Sequence, residues 1–282
     1  MLPSKPSPTL WLLLKETYRH WMSFRPTRMA SSLSYYGLFA IVPVLVISFW
    51  IGSVVVGVPS IGTELIHRTT YFFSPEAMEF IQQVFAHFTT GTLPLIPSLI
   101  AVIALIILAE QGANELKQSL DDIWKSQKRK RGFLNILSRF SVSILFVLLF
   151  GVSFVVFITF ANFFQAGFFT SERFAFLQQF SFLVTPVVIL AITFIGTLIS
   201  WIVLPETKFH IKTLLVGALL TSFLLTIGNI IIGLYFTYGV SLSAYGVAGS
   251  IVAVLLWCYY SALIFLFGAS FAWVYNQRVI EN

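Results

Sequence analysis

Long apolar runs broken by short polar segments set the pattern of this chain. Six runs are long enough for a helix to cross a bilayer, which takes about 20 residues. They lie near Ser32–Gly57, Pro94–Gln111, Arg139–Ala166, Phe180–Leu204, Thr213–Tyr238 and Tyr245–Tyr275. The second is the shortest, and the last is long enough to tilt or to extend past the membrane. The expected fold is all-α: a single polytopic membrane domain of six transmembrane helices, with amphipathic helices at the interface.

Three polar segments carry helical patterns of their own. Ser7-Pro8 reads as a cap followed by proline at the first helical position. Trp11, Leu14, Tyr18 and Trp21 then recur at helical spacing. This segment is expected either to lie in the interface with its rings at headgroup depth or to pack on the bundle. In the loop after the first run, Ser74-Pro75-Glu76 starts a second amphipathic pattern, with Ala77, Phe80, Ile81, Val84, Phe85 and Phe88 on one face. It is read as cover for the second span, or as a lid. After the second run the helix is expected to continue, with Leu116, Leu120, Ile123 and Trp124 on one face.

Basic residues orient the spans. Lys5, Lys15, Arg19, Arg25 and Arg28 precede the first. Lys117, Lys125, Lys128, Arg129, Lys130, Arg131 and Arg139 follow the second, Lys208 and Lys212 follow the fourth, and Arg278 is in the tail. Of the 17 Lys and Arg residues, only Arg68 and Arg173 fall on the other side. Positive residues are retained in the cytoplasm, so both termini are expected there. The first 31 residues do not read as a cleavable signal peptide, so the first span is the expected insertion signal.

Composition narrows the class. The 282 residues are 57% hydrophobic and 10% charged, against roughly 25% charged in soluble domains. A soluble surface and a disordered chain are both excluded. The net charge of +6 is accounted for by topology, so nucleic acid is not an expected partner. The single cysteine, Cys258, excludes a disulfide framework and a cysteine zinc site.

Little in the chain suggests catalysis. His20, His67, His87 and His210 have no metal-ligand spacing, and Asp121 and Asp122 are adjacent, so they point to different helix faces. No phosphate loop or nucleophile elbow occurs. No cofactor, metal or enzymatic activity is expected. Glu110, at the inner end of the second span, is the one carboxylate near the bilayer. With Arg28, Tyr35, Tyr36, Asn114 and Tyr260 it forms a candidate polar cavity. Lys128, Arg129, Lys130 and Arg131 are candidate contacts for anionic headgroups, or simply a topogenic block. Pro43 and Pro186 are candidate helix kinks. The pairs Gly217/Thr221, Gly249/Ala253 and Gly268/Ala272 are spaced for close helix approach, and Asn229 for an interhelical hydrogen bond.

Several segments, taken in order, resemble the YihY/BrkB family of bacterial inner-membrane proteins. They are Ala30-Ser31-Ser32-Leu33-Ser34-Tyr35-Tyr36-Gly37-Leu38-Phe39 with Val42-Pro43-Val44-Leu45, Ser119-Leu120-Asp121-Asp122-Ile123-Trp124, Leu204-Pro205, Gly217-Ala218, Tyr245-Gly246 with Gly249-Ser250, Leu256-Trp257-Cys258-Tyr259-Tyr260, and Gly268-Ala269. The resemblance spans about residues 20–275, and departs at Asp122, where an Asn is expected. It implies a six-span inner-membrane protein. It also carries an old ribonuclease label, which no site in this chain supports, and a link to export of lipid-linked envelope material. The expected function is transport or handling of an envelope lipid or anionic solute. The expected partners are membrane lipids, such as an anionic phospholipid or a lipid-linked envelope precursor. The alternative is a non-transporting scaffold for envelope assembly.

Overall fold

The computed structural model describes residues 10–40, 95–126, 181–207, 209–238 and 246–280. Among these residues the regular structure is entirely helical. Helix α1 is Leu10–Ser23, α2 covers residues 26–40, α3 is Leu95–Ile123, α4 is Ser181–Val203, α5 is Ile211–Tyr238 and α6 is Gly246–Tyr275. A π-helical turn, Asn276–Ile280, extends α6. Pro43, the 74–88 segment, the basic run 128–131 and the apolar run 139–166 lie outside the described residues.

Local chemistry sets the helix ends. The chain turns between α1 and α2 at Arg25, whose φ of 52° is left-handed, and Pro26 opens α2 in the first-turn position proline favours. Helix α3 closes on Lys125, also at φ 52°. The Ser126 N–H donates to the Asp121 carbonyl (2.8 Å) and the Lys125 N–H to the Asp122 carbonyl (3.2 Å). This is a Schellman closure made without the usual glycine. Helix α4 runs through Pro186 without interruption and stops just before Leu204-Pro205. The His210 carbonyl starts α5 by accepting from the Thr213 N–H (2.9 Å).

Helix α6 is central: α5, α1 and α3 all pack on it, while α4 packs on α5. The α5–α6 contact is a small-residue zipper. A Cβ added to Gly217 would lie 2.8 Å from the Ala272 Cβ, and one added to Gly268 only 1.7 Å from Thr221 Oγ1. The pairs Gly217/Thr221 and Gly268/Ala272 therefore face each other in antiparallel order and bring the two backbones together. Nearby, the Trp257 Nε1–H donates to Asn229 Oδ1 across the same helix pair (2.9 Å), and Tyr260 lies on the Gly228 backbone.

The main core sits at one end of the bundle. Ala30 of α2, Leu120 and Ile123 of α3, Trp201 of α4, Leu214 and Ala218 of α5, and Leu266, Ala269 and Ala272 of α6 pack with Trp124 and Leu204. Trp124 is 2% exposed, and its Nε1–H donates to the Ala269 carbonyl (3.0 Å). Its ring meets Trp201 edge-on and Phe209 at a tilt. A second, smaller cluster of Leu13, Phe271 and Val274 seats α1 against α6.

Polarity within the bundle is inverted relative to a soluble protein. On α5, Leu215, Leu219, Phe223, Ile227, Ile231 and Leu234 are exposed, whereas Thr213, Thr221, Ser222 and Thr226 are buried. The buried hydroxyls are satisfied at short range: Thr221 donates to the Gly217 carbonyl (2.8 Å), Thr226 to Ser222 (2.8 Å) and Ser270 to Leu266 (2.9 Å). Water outside would penalise that arrangement; hydrocarbon outside favours it. Two described helical stretches, Ile211–Ile232 and Ile251–Val279, are long and apolar enough to cross a membrane. Only 39% and 22% of their most apolar windows are buried, unlike the core helices of a soluble domain.

Candidate functional site

The core end of the bundle also gathers polar chemistry. Arg25 and Arg28 line an open cleft of about 330 Å³ with Ser23, Phe24, Met29 and Asp122. The tight α1–α2 turn builds one wall, and the last turn of α3 supplies the carboxylate opposite. The Arg28 N–H donates to the Arg25 carbonyl (3.0 Å), which fixes both arginines on one turn. Both side chains are exposed, and among the described residues neither is in an ion pair.

Beside the cleft, His20 joins three helices. Its Nε2–H donates to the Ile123 carbonyl at the end of α3 (3.1 Å). Its ring stacks on Trp273 of α6, with centroids 3.9 Å apart and planes 3° from parallel. Lys125 Nζ lies 4.7 Å from the same Trp273 ring. Burial pushes the His20 pKa below its ordinary value. The Ile123 carbonyl opposes that shift and Lys125 adds to it. Only the tautomer with a proton on Nε2 makes the Ile123 bond, since a carbonyl cannot donate.

On the other flank, Asp121 Oδ1 accepts the Glu206 N–H (2.9 Å), and Lys117 Nζ pairs with Glu206 Oε1 (2.9 Å). This ties the end of α3 to the α4–α5 connection. Burial raises the Asp121 pKa above the usual carboxylate value, while the Glu206 N–H and Lys117 draw it back. Adjacent Asp121 and Asp122 do point apart: one serves this tie and the other faces the cleft.

The six residues read as one polar cavity are dispersed. Arg28 lines its cleft with Asp122 of α3, whereas Glu110 lies twelve residues earlier, about 18 Å along the helix. Arg28 and Glu110 therefore do not balance one another. Tyr36 packs on Gly112, between Glu110 and Asn114, where a Cβ on Gly112 would lie 3.1 Å from the Tyr36 Cβ. Tyr35 is exposed and touches Tyr36 and Phe39 edge-on. Tyr260 goes to Gly228 of α5. The N-terminal helix is at once packed and exposed: Leu13 and Thr17 are buried against the bundle, while Trp11 and Tyr18 are 76% and 53% exposed. Trp21 does not join that outer face but packs on the core.

Arg25 and the His20–Trp273 stack went unread as site features. Arg25-Pro26 does carry a local signal, because a residue before proline is disfavoured in helix. The His20–Trp273 pairing leaves none. Among the described residues, no group of three or more His, Cys, Asp or Glu could hold a metal ion.

Comparison with known proteins resolves the family. A family model described as virulence factor BrkB matches residues 17–282. The chain belongs to this family. Its relatives include UPF0761 membrane proteins of Mannheimia succiniciproducens, Actinobacillus pleuropneumoniae and Haemophilus influenzae. The first is 27% identical over 290 residues, covering 97% of this chain and 93% of the relative. The second is 25% identical over 273 residues, covering 94% and 95%. The third is 26% identical over 257 residues, covering 89% and 91%. No solved structure matches this chain. The chain is a BrkB-family membrane protein, and the inverted polarity of its helices agrees with that.

Proposed function

We propose that this chain is a six-span, multi-pass protein of the bacterial inner membrane that moves or handles an envelope lipid or anionic solute, without catalysing a reaction. Both termini are cytoplasmic in this reading. The observation that carries it is the cleft lined by Arg25 and Arg28 beside apolar, outward-facing helices. Its support is positional. The start of α2, the ends of α3 and α4, the start of α5 and the end of α6 converge at the core end. These are the ends that carry the basic loops, so the cleft sits where cytoplasmic-leaflet headgroups are found. The exposed Trp11 and Tyr18 of α1 suit headgroup depth on the same side.

A second reading, a non-transporting scaffold for envelope assembly, is favoured by the α5–α6 zipper, which leaves no passage between those two helices. Reconstitution into vesicles separates the two. Purified protein should accelerate flux of a fluorescent anionic phospholipid or of an anionic solute over protein-free vesicles. Flux equal to that of empty vesicles for both classes would sink the transport reading and leave the scaffold.

A further inference from the structure

We infer that the outer face of α1 is a docking surface for anionic lipid, with Lys15 and Arg19 taking headgroup phosphates and Trp11, Tyr18 and Met22 entering the boundary beneath them. The inference rests on the reading above only for which leaflet α1 meets, the cytoplasmic one.

Helix α1 is divided lengthwise into two sides. At about 100° per residue, Trp11, Leu12, Lys15, Tyr18, Arg19 and Met22 fall within an arc of about 120°, and all six are exposed. The opposite side holds the helix to the bundle. Leu13 packs with Phe271 and Val274, Thr17 is buried, His20 stacks on Trp273, and Trp21 meets Phe267 edge-on. Glu16 is the only carboxylate of α1 and lies at the border between the two sides. Arg278 takes it up in a bidentate pair: its Nε–H donates to Glu16 Oε2 (2.9 Å) and its Nη2–H to Oε1. Among the described residues, neither Lys15 nor Arg19 is in an ion pair. The outer face therefore carries two cations, no anion, and a border of aromatic and aliphatic side chains. Adjacent Lys15 and Glu16 hide that separation in the sequence.

Charge and position choose the occupant. Tryptophan and tyrosine join an apolar ring to a polar tip and collect at the water–hydrocarbon boundary, where lysine and arginine stems lie along apolar surface and their heads reach phosphates. A second copy of this chain is disfavoured, because a two-fold contact through this face would set Lys15 and Arg19 against their own counterparts. Position favours lipid over an acidic soluble protein. Leu14 and Leu220 pack on the Leu13–Phe271–Val274 cluster, and Leu219 and Phe223, close to Leu220 on α5, are exposed. Helix α1 thus borders the apolar outer surface of α5, and the leaflet that covers that surface reaches α1 as well. Each basic residue held at an anionic surface strengthens binding about fivefold, so the pair separates anionic from zwitterionic lipid by up to roughly 25-fold.

The test places the full-length protein in nanodiscs of phosphatidylcholine, with or without about 30% phosphatidylglycerol, and follows amide hydrogen exchange over α1 by mass spectrometry. Phosphatidylglycerol should slow that exchange about fivefold. The double variant Lys15→Gln/Arg19→Gln should exchange like the parent in phosphatidylcholine and respond less than twofold to phosphatidylglycerol. Salt at about 1 M, where charges are screened beyond about 3 Å, should erase the response of the parent itself, which keeps the test open if the variant misfolds. Glu16→Gln, which frees Arg278, should speed exchange in both lipids and keep the response. In brominated lipid, the Trp11 emission, taken as parent minus Trp11→Phe, should fall by at least half. Exchange that ignores phosphatidylglycerol, or a response that survives the double variant, would overturn the surface. Trp11 emission quenched by iodide and not by brominated lipid would overturn it too, and would leave the face to an acidic soluble partner. Nanodiscs carry the same lipid in both leaflets and support no flux, so these outcomes stand apart from the topology and from transport.

Discussion

Gly268→Ala should force α5 and α6 apart, and Thr221→Ala should undo part of the damage. The new methyl would fall 1.7 Å from Thr221 Oγ1 and 2.9 Å from Thr221 Cβ. The hydroxyl can escape by rotating, at the cost of its bond to the Gly217 carbonyl. Rotation alone does not clear the site, since Thr221 Cγ2 is also only 3.2 Å from it. The Cβ moves only with its helix. Restoring an ordinary contact of 3.4 Å demands about 0.5 Å of separation. That gap would also loosen Gly217 from Ala272, which meets it in the same zipper. Overpacking of this kind costs about 1–3 kcal/mol. Thr221→Ala removes the 1.7 Å and 3.2 Å contacts and leaves the 2.9 Å one, so rescue should be substantial but incomplete. A double-mutant cycle should give a favourable coupling of about 1 kcal/mol or more. The assay is reversible unfolding in mixed micelles, titrated with sodium dodecyl sulfate and followed by tryptophan fluorescence. A Gly268→Ala protein as stable as the parent, or a Thr221→Ala background that gives no rescue, would refute the zipper.

Two further outcomes follow from the core end. His20 has its pKa lowered by burial, so between its folded and unfolded values the unfolded chain binds more protons. Stability is therefore full above the unfolded value of 6.5 and falls as pH drops below it; His20→Phe should flatten that part of the melting profile between pH 7 and pH 5. Lys125→Gly should stabilise the protein by about 0.5 kcal/mol, because relief of roughly 1 kcal/mol of left-handed strain exceeds the loss of a roughly 0.5 kcal/mol contact with Trp273. A lower melting temperature for Lys125→Gly would show that the Trp273 contact outweighs the strain.

What the sequence by itself determined is local. Apolar runs specify helices, as at Ser181–Val203, Ile211–Tyr238 and Gly246–Tyr275, because length and hydropathy need no partner to be read. Four-residue spacing of small side chains marked Gly217/Thr221 and Gly268/Ala272 as close-approach faces, because a missing side chain is visible at its own position. The continuation of α3 past the apolar run was legible in Leu116, Leu120, Ile123 and Trp124, the last three of which are now buried in the core. Tertiary structure decided which faces meet. A helix that is apolar all round carries almost no signal for its rotation about its own axis, so the partners of a lone polar group cannot be deduced. Tyr260 thus meets Gly228 instead of Arg28, and Tyr35 faces outward. Arg28 lines a cleft with Asp122, about three turns along α3 from Glu110, because the α1–α2 turn places it there. His20 finds Trp273 across nearly the whole chain. These contacts depend on helix rotation and register, which are fixed only when the small-residue faces close and the tryptophans fill the space that remains.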